Sequence, residues 1–391
     1  MSIPSTSNGV STKDSTSTVQ SSVPWYLWAV AFASTSVLVG VIWDISWHRT
    51  IGRDTFWTAA HLAIYLGGAV AGLSCGWLVL QTTFFGTERN KSGGVTFWGF
   101  RGPLGAWVCI WGSIAMITSG PFDDWWHNAY GLDVKILSPP HAVLAAGIGA
   151  IQIGAMLMAL ARQNNARKGD QIFQLLFAYA SGVLILNLAT LATAYVTLPN
   201  DQHGPQFFIV SAVLFPFLLV GIARSSLLRF GATTAASVYM AVTLVMIWVL
   251  QLFPAQPMLA PILREVTSMV PPAFPLLLVV PALVVDFILQ QASIQVGWFK
   301  NGILAVGAGI AAMLVLGIVQ WPFAEFLLSE GARNFFFGAD QWGYNRPSGP
   351  WQHQFWGSPM TAGLFGWTSL IAGTSAGTGL LFGNWMSRVR R

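Results

Sequence analysis

The chain has 391 residues, of which 54% are hydrophobic and only 8% charged, and its mean hydropathy is +0.59. Soluble domains carry charge on roughly a quarter of their residues, so a soluble enzyme and a nucleic-acid-binding domain are both excluded. The formal net charge of +5 does not point to a polyanion partner either, because the 19 basic residues are thinly spread and form no run longer than two.

In chain order, residues 1–22 are rich in Ser and Thr and nearly free of apolar side chains, which predicts a disordered tail. A helix that crosses a bilayer takes about 20 mainly apolar residues. By that measure the sequence offers ten spans, at 25–48, 57–81, 103–126, 139–161, 170–197, 206–225, 231–253, 272–291, 301–323 and 359–385. The first of these is a full span rather than the short apolar core of a secretory signal, so it is expected to be retained. Pro271, Pro272, Pro275 and Pro281 make the eighth the least regular. The fold class expected is therefore all-α, a multi-pass membrane protein with about ten transmembrane helices and the lipid bilayer as its first partner. Nineteen Trp and 26 Phe suit the aromatic belts at the two interfaces.

Ten spans place both termini on one side. The termini and the connections on that side carry 13 basic residues against six on the other, so the positive-inside rule predicts cytoplasmic termini in the cell membrane. All six histidines, His48, His61, His127, His141, His203 and His353, then fall on the outer side. Cys75 and Cys109 both lie inside predicted helices, where small buried apolar residues are the expectation, and no disulfide framework or CxxC site is present.

The informative pattern is internal. WDISWHRTIGRDTFWTAAHL and FDDWWHNAYGLDVKILSPPHA both read Asp, three residues, His at a helix end, five residues, Asp, and then a second His that opens the next helix. The sets are Asp44, His48, Asp54, His61 and Asp123, His127, Asp133, His141, offset by 79 or 80 residues. Two spans fit that interval, so both copies insert with one orientation, as a tandem parallel repeat of a helical hairpin in the first four helices.

Asp and His at i and i+4 share one helix face, and the second His arrives from the antiparallel neighbour. Asp44, His48 and His61 are thus predicted to converge, as are Asp123, His127 and His141. Two imidazoles and a carboxylate suit copper, zinc or non-haem iron and leave coordination positions open. Interfacial Asp, Trp and His also anchor helix ends at a bilayer boundary, but a four-residue pattern occurring twice favours the metal-binding reading. Asp54 and Asp133 either orient a ligating His or act as caps and ion-pair partners of Arg53 and Lys135. Asp124 is a further alternative ligand.

At these residues the chain resembles the C subunit of the copper-dependent particulate methane and ammonia monooxygenases. Asp44, His48, Thr50, Ile51, Arg53, Asp54, Thr55 and His61 stand in the order of that family's first motif, with Trp57 in place of a Phe. Asp123, His127 and His141, the last after Ser138-Pro139-Pro140, resemble the second. The resemblance covers residues 25 to about 162. It implies two neighbouring copper sites and membership of a complex with further subunits. Asp123 stands where the family carries Asn, and an anionic ligand there implies a harder or higher-valent metal.

The organisation expected is a tail at 1–22, a four-helix metal-binding unit at 23–165 and a six-helix unit at 166–391. The last of these includes a long outer loop at 324–358 with Trp342, Tyr344, Trp351, Phe355 and Trp356. His353 in that loop is a possible extra ligand, His203 reads as an ordinary loop His, and Met258 and Met269 could offer soft thioethers. The polar residues within spans, Gln152, Asn187, Gln251 and Asp286, read as scattered. Three functions follow: a copper monooxygenase-like oxidoreductase acting on a small apolar substrate, a copper or zinc acquisition or transport protein, and a non-catalytic structural subunit of a membrane complex.

Overall fold

The computed structural model describes residues 22–52, 57–87, 94–131, 138–166, 170–193, 198–258, 265–291, 297–339 and 360–390. Among these residues it is a helical membrane protein. The helices are α1 (Trp25–Thr50), α2 (Ala59–Phe85), α3 (Leu104–Tyr130), α4 (Pro139–Asn165), α5 (Gln171–Thr193), α6 (Pro205–Ser225), α7 (Gly231–Leu250), α8 (Val279–Leu289), α9 (Trp298–Leu327) and α10 (Ala362–Met386). Eight of them, α1 to α7 and α9, are long and apolar enough to cross a membrane. In α10 the apolar residues are interrupted by a dense series of Gly, Ser and Thr.

Two elements depart from the sequence reading. The connection between α2 and α3 holds a small antiparallel hairpin, β1 (Val95–Phe97) and β2 (Phe100–Gly102), turned by Trp98 and Gly99 at φ 48° and 82°. It is tied to the helices by Thr83, whose hydroxyl accepts from the Arg101 amide at 2.8 Å, and by Trp107, whose indole N–H donates to the Val95 carbonyl at 3.2 Å.

The second departure is the eighth span. Residues 271–277 are not helical, and α8 is an 11-residue helix rather than a full crossing. Proline supplies no N–H and pushes the residue before it out of the helical region, so Pro271, Pro272 and Pro275 keep the chain extended. Extended backbone among membrane helices must still satisfy its polar groups internally. Here neighbouring side chains do so: the Val270 amide donates to the Thr50 hydroxyl at 2.8 Å, that of Leu276 to the Tyr239 hydroxyl at 2.7 Å, and that of Leu277 to Gln320 Oε1 at 2.9 Å. The Ser46 hydroxyl donates to the Val270 carbonyl at 2.5 Å.

The main apolar core runs through both halves of the chain, from Leu27 and Leu38 in α1 to Leu380 and Met386 in α10. A satellite core of Val266, Val270, Phe274, Leu327 and Ala339 packs beneath the extended segment. Across the two halves, the hydroxyls of Thr35 in α1 and Tyr179 in α5 lie 2.6 Å apart.

Candidate metal centre

Asp44 and His48 stand one turn apart near the end of α1, and His61 sits in the first turn of α2. His48 Nε2 lies 3.7 Å from Asp44 Oδ2, and His61 Nε2 lies 3.2 Å from Asp44 Oδ1. The corresponding turns of α3 and α4 repeat the arrangement. His127 Nε2 is 3.4 Å from Asp123 Oδ2, and His141 Nε2 is 3.9 Å from Asp123 Oδ1. In each set one carboxylate receives an imidazole from its own helix and another from the neighbouring one.

Local sequence explains the approach. α1 and α3 both end at a glycine with positive φ, Gly52 at 113° and Gly131 at 83°, a conformation other L-residues rarely adopt. Their amides donate back to the carbonyls of Trp47 and His127 at 3.2 and 3.0 Å, turning the chain just beyond each His. α4 begins with Ser138, an N-cap followed by prolines at the first helical positions, which presets the helix start three residues before His141.

The rings are held through their second nitrogens. His141 Nδ1 lies 2.8 Å from the Ser138 hydroxyl. His127 Nδ1 lies 3.3 Å from the Gly131 carbonyl. A carbonyl only accepts, so that bond protonates Nδ1 and leaves the lone pair of the neutral ring on Nε2, the nitrogen that faces Asp123.

Among the described residues, no three His, Cys, Asp or Glu side chains already surround a common cation position; the imidazoles close directly on the carboxylates instead. The donor set nevertheless fits a cation. Two imidazoles and a carboxylate are the donor types of a copper or zinc site, and each imidazole Nε2 lies 3.2 to 3.9 Å from one oxygen of its carboxylate. Asp44 Oδ1 and Asp123 Oδ1 are both buried, and each is faced by the imidazole Nε2 of the neighbouring helix, at 3.2 and 3.9 Å. Both oxygens occur at the same place in their sets.

Other residues singled out from the sequence lie elsewhere. Asp124 is exposed and accepts from the Asn128 side-chain amide at 3.3 Å. Met258 is exposed with its amide on the Ile51 carbonyl at 3.0 Å, whereas Met269 is buried in the main core. Asp54, Asp133 and His353 lie outside the described residues, as do the aromatic residues of the long loop between 340 and 359.

His203 is not an ordinary loop residue. It is buried, with Nε2 3.6 Å from Glu325 Oε1 and its ring 4.1 Å from that of Trp321. Asp286 is likewise not a stray polar residue, because its carboxylate accepts from the Ala232 amide and from the Thr233 amide and hydroxyl at 3.2, 2.8 and 2.7 Å. Ser138 was not anticipated as part of the site, although Ser before Pro-Pro and three residues before a His is a legible cap signal. No family model, no curated protein and no solved structure matches the chain.

Proposed function

We propose that this protein is a membrane-embedded copper protein of the oxidoreductase class, with one metal at Asp44, His48 and His61 and a second at Asp123, His127 and His141. The observation that carries this reading is the pair of Asp–His–His sets, each centred on a carboxylate with a buried oxygen that faces an imidazole of the neighbouring helix. The resemblance of residues 25–162 to the C subunit of the particulate methane and ammonia monooxygenases favours copper and implies partner subunits. The tandem hairpin repeat is part of the same reading, as are cytoplasmic termini and metal sites near the outer face, which the 13-to-6 division of basic residues supports.

Bound copper would supply redox chemistry toward dioxygen and a small apolar substrate that arrives through the lipid. The protein's own contributions are positional. Asp44 and Asp123 would neutralise cationic charge in a setting where unpaired charge is expensive. Gly131 and Ser138 fix the rings of His127 and His141, and the Trp125, Trp126 and Tyr130 rings cluster beside the second set, with Trp126 and Tyr130 centred 4.5 Å apart.

Metal analysis with X-ray absorption on the purified chain tests the assignment. Two metal ions per chain with nitrogen and oxygen neighbours are expected, falling to one in His61→Ala. A metal-free wild type, or unchanged content in the variant, would overturn it and favour a structural subunit. Oxygen-dependent product formation separates an oxidoreductase from a protein that only acquires or moves metal.

A further inference from the structure

Cys75 and Cys109 are the only cysteines in the chain, and both are free and fully buried. They lie on α2 and α3, in different hairpins and 34 residues apart in sequence. The packing between these helices fixes their relation. The Ser113 hydroxyl donates to the Gly68 carbonyl at 2.9 Å, a Cβ placed on Gly72 would stand 3.0 Å from that of Ser113, and Gly102 lies against Val79. These contacts are antiparallel, because numbers fall on α2 as they rise from Gly102, at the end of β2 just before α3, to Ser113 on α3. Cys75 and Cys109 fall opposite one another, between the Gly72–Ser113 and Val79–Gly102 contacts.

The close approach matters because a disulfide requires Cβ atoms about 3.5–4.5 Å apart. Glycine at position 72 removes the side chain that would hold the helices further apart one turn away. The Cys109 thiol lies 3.5 Å from the Ile151 carbonyl of α4, and it fills the space that a Cβ on Gly154 would need.

We propose that Cys75 and Cys109 form a redox-active pair whose oxidised state is a disulfide joining the two hairpins through the apolar interior. Both states are uncharged, so conversion adds no charge to a region where charge is costly. In the oxidation two S–H bonds break and one S–S bond forms. The two electrons and two protons pass to a small apolar acceptor, dioxygen dissolved in the bilayer, which becomes hydrogen peroxide. Thiols in apolar surroundings are poor nucleophiles because they remain protonated, so the reaction is slow and each state persists once formed. This pair does not depend on the metal reading, since neither sulfur belongs to an Asp–His–His set.

The test uses wild-type protein in lipid nanodiscs, with molecular iodine as a small apolar two-electron oxidant that converts two thiols to a disulfide and two equivalents of hydrogen iodide. After quenching, the protein is unfolded in detergent, labelled with a maleimide and weighed intact. The reduced protein should take two labels per chain and the oxidised protein none, with both labels restored by dithiothreitol. Digestion without reductant should yield one peptide pair joined through Cys75 and Cys109. Two labels retained after iodine, a loss that dithiothreitol does not reverse, or joining only between separate chains would overturn the proposal. Cys75→Ser and Cys109→Ser should each lack the joined peptide pair, but the decisive readings need only the native chain.

Discussion

Ser138 and His141 are joined twice: the serine oxygen sits 2.8 Å from the imidazole Nδ1 and 3.4 Å from the histidine amide. One side chain therefore both starts α4 and sets the angle of the ring whose other nitrogen faces Asp123. Partners that orient a ligating imidazole typically contribute about 10- to 100-fold in metal affinity. Ser138→Ala should weaken binding at the second site by that factor and leave the first unchanged, as read by equilibrium dialysis with the metal. Ser138→Thr, which keeps the hydroxyl, should recover most of it. Equal weakening at both sites would show a general effect of the lost cap rather than of the ring contact.

The first hairpin lacks this device. Thr58 is the N-cap of α2, three residues before His61, but its side chain makes no cap hydrogen bond, and its hydroxyl is buried without a partner. Removing a cap that functions costs about 0.5–2 kcal/mol, whereas removing a buried unsatisfied hydroxyl relieves part of a desolvation penalty of about 1–3 kcal/mol. Thr58→Val, which keeps the shape and deletes the oxygen, should therefore unfold in detergent at the same temperature as wild type or slightly higher. A clear drop would mean that the Thr58 hydroxyl is bonded in the folded protein.

Much of the arrangement was legible because it rests on local spacing. Asp and His four residues apart must share a helix face, and a short connection must bring the next helix alongside, so the meeting of Asp44 with His48 and His61 followed from the sequence. Ser138 was equally readable as a cap. What could not be read depends on packing between distant segments. The burial of His203 requires Trp321, more than 100 residues away, and the eighth span fails as a helix because its prolines free amides that Thr50, Tyr239 and Gln320 happen to meet. The hairpin at 95–102 has strands of only three residues, too short to show an alternating pattern.

The support of the extended segment leads to a stability prediction. Tyr239→Phe leaves the Leu276 amide, in a residue 2% exposed, without its acceptor, while the ring packing is kept. A buried donor left unpaired costs about 1–3 kcal/mol, and the variant should unfold at a correspondingly lower temperature. Gln320→Leu should cost at least as much, since Gln320 serves the Leu277 amide and also donates to Gln202 Oε1 at 2.8 Å. If both variants match wild type, the segment is held by its apolar contacts alone.

Asp286 acts on a helix that is not its own. The N-cap residue of α7, Phe230, has no side chain able to cap, and the Asp286 carboxylate arrives from α8 to meet the first amides instead. Negative charge at a helix N-terminus is favourable. Asp286→Ala removes three acceptor contacts; a hydrogen bond to a charged group contributes about 1.5–3 kcal/mol, and with the burial cost of the carboxylate set against them the variant should be destabilised by roughly 2–5 kcal/mol. Asp286→Asn keeps one oxygen and should fall between the variant and wild type. Thermal unfolding of the three proteins side by side gives the order, and an Asn variant as stable as wild type would show that the charge contributes nothing.

Asp201, in the short turn before α6, gives a pH dependence whose sign follows from its burial. Half-burial disfavours the ionised form and raises its carboxyl above the ordinary value of 3.8. The folded state then holds the proton more tightly than the unfolded chain, so stability falls as pH rises from the ordinary value through the raised one, and is level above it. Asp201→Asn removes the ionisation. The difference in unfolding temperature, variant minus wild type, should be smallest near pH 3.8, grow in the variant's favour as pH rises, and reach a plateau by neutral pH. The effect is modest because the group is only partly buried, so the informative quantity is the trend with pH. A difference that stays constant, or that shrinks toward neutral pH, would mean that the Asp201 carboxylate gains a compensating donor in the folded protein.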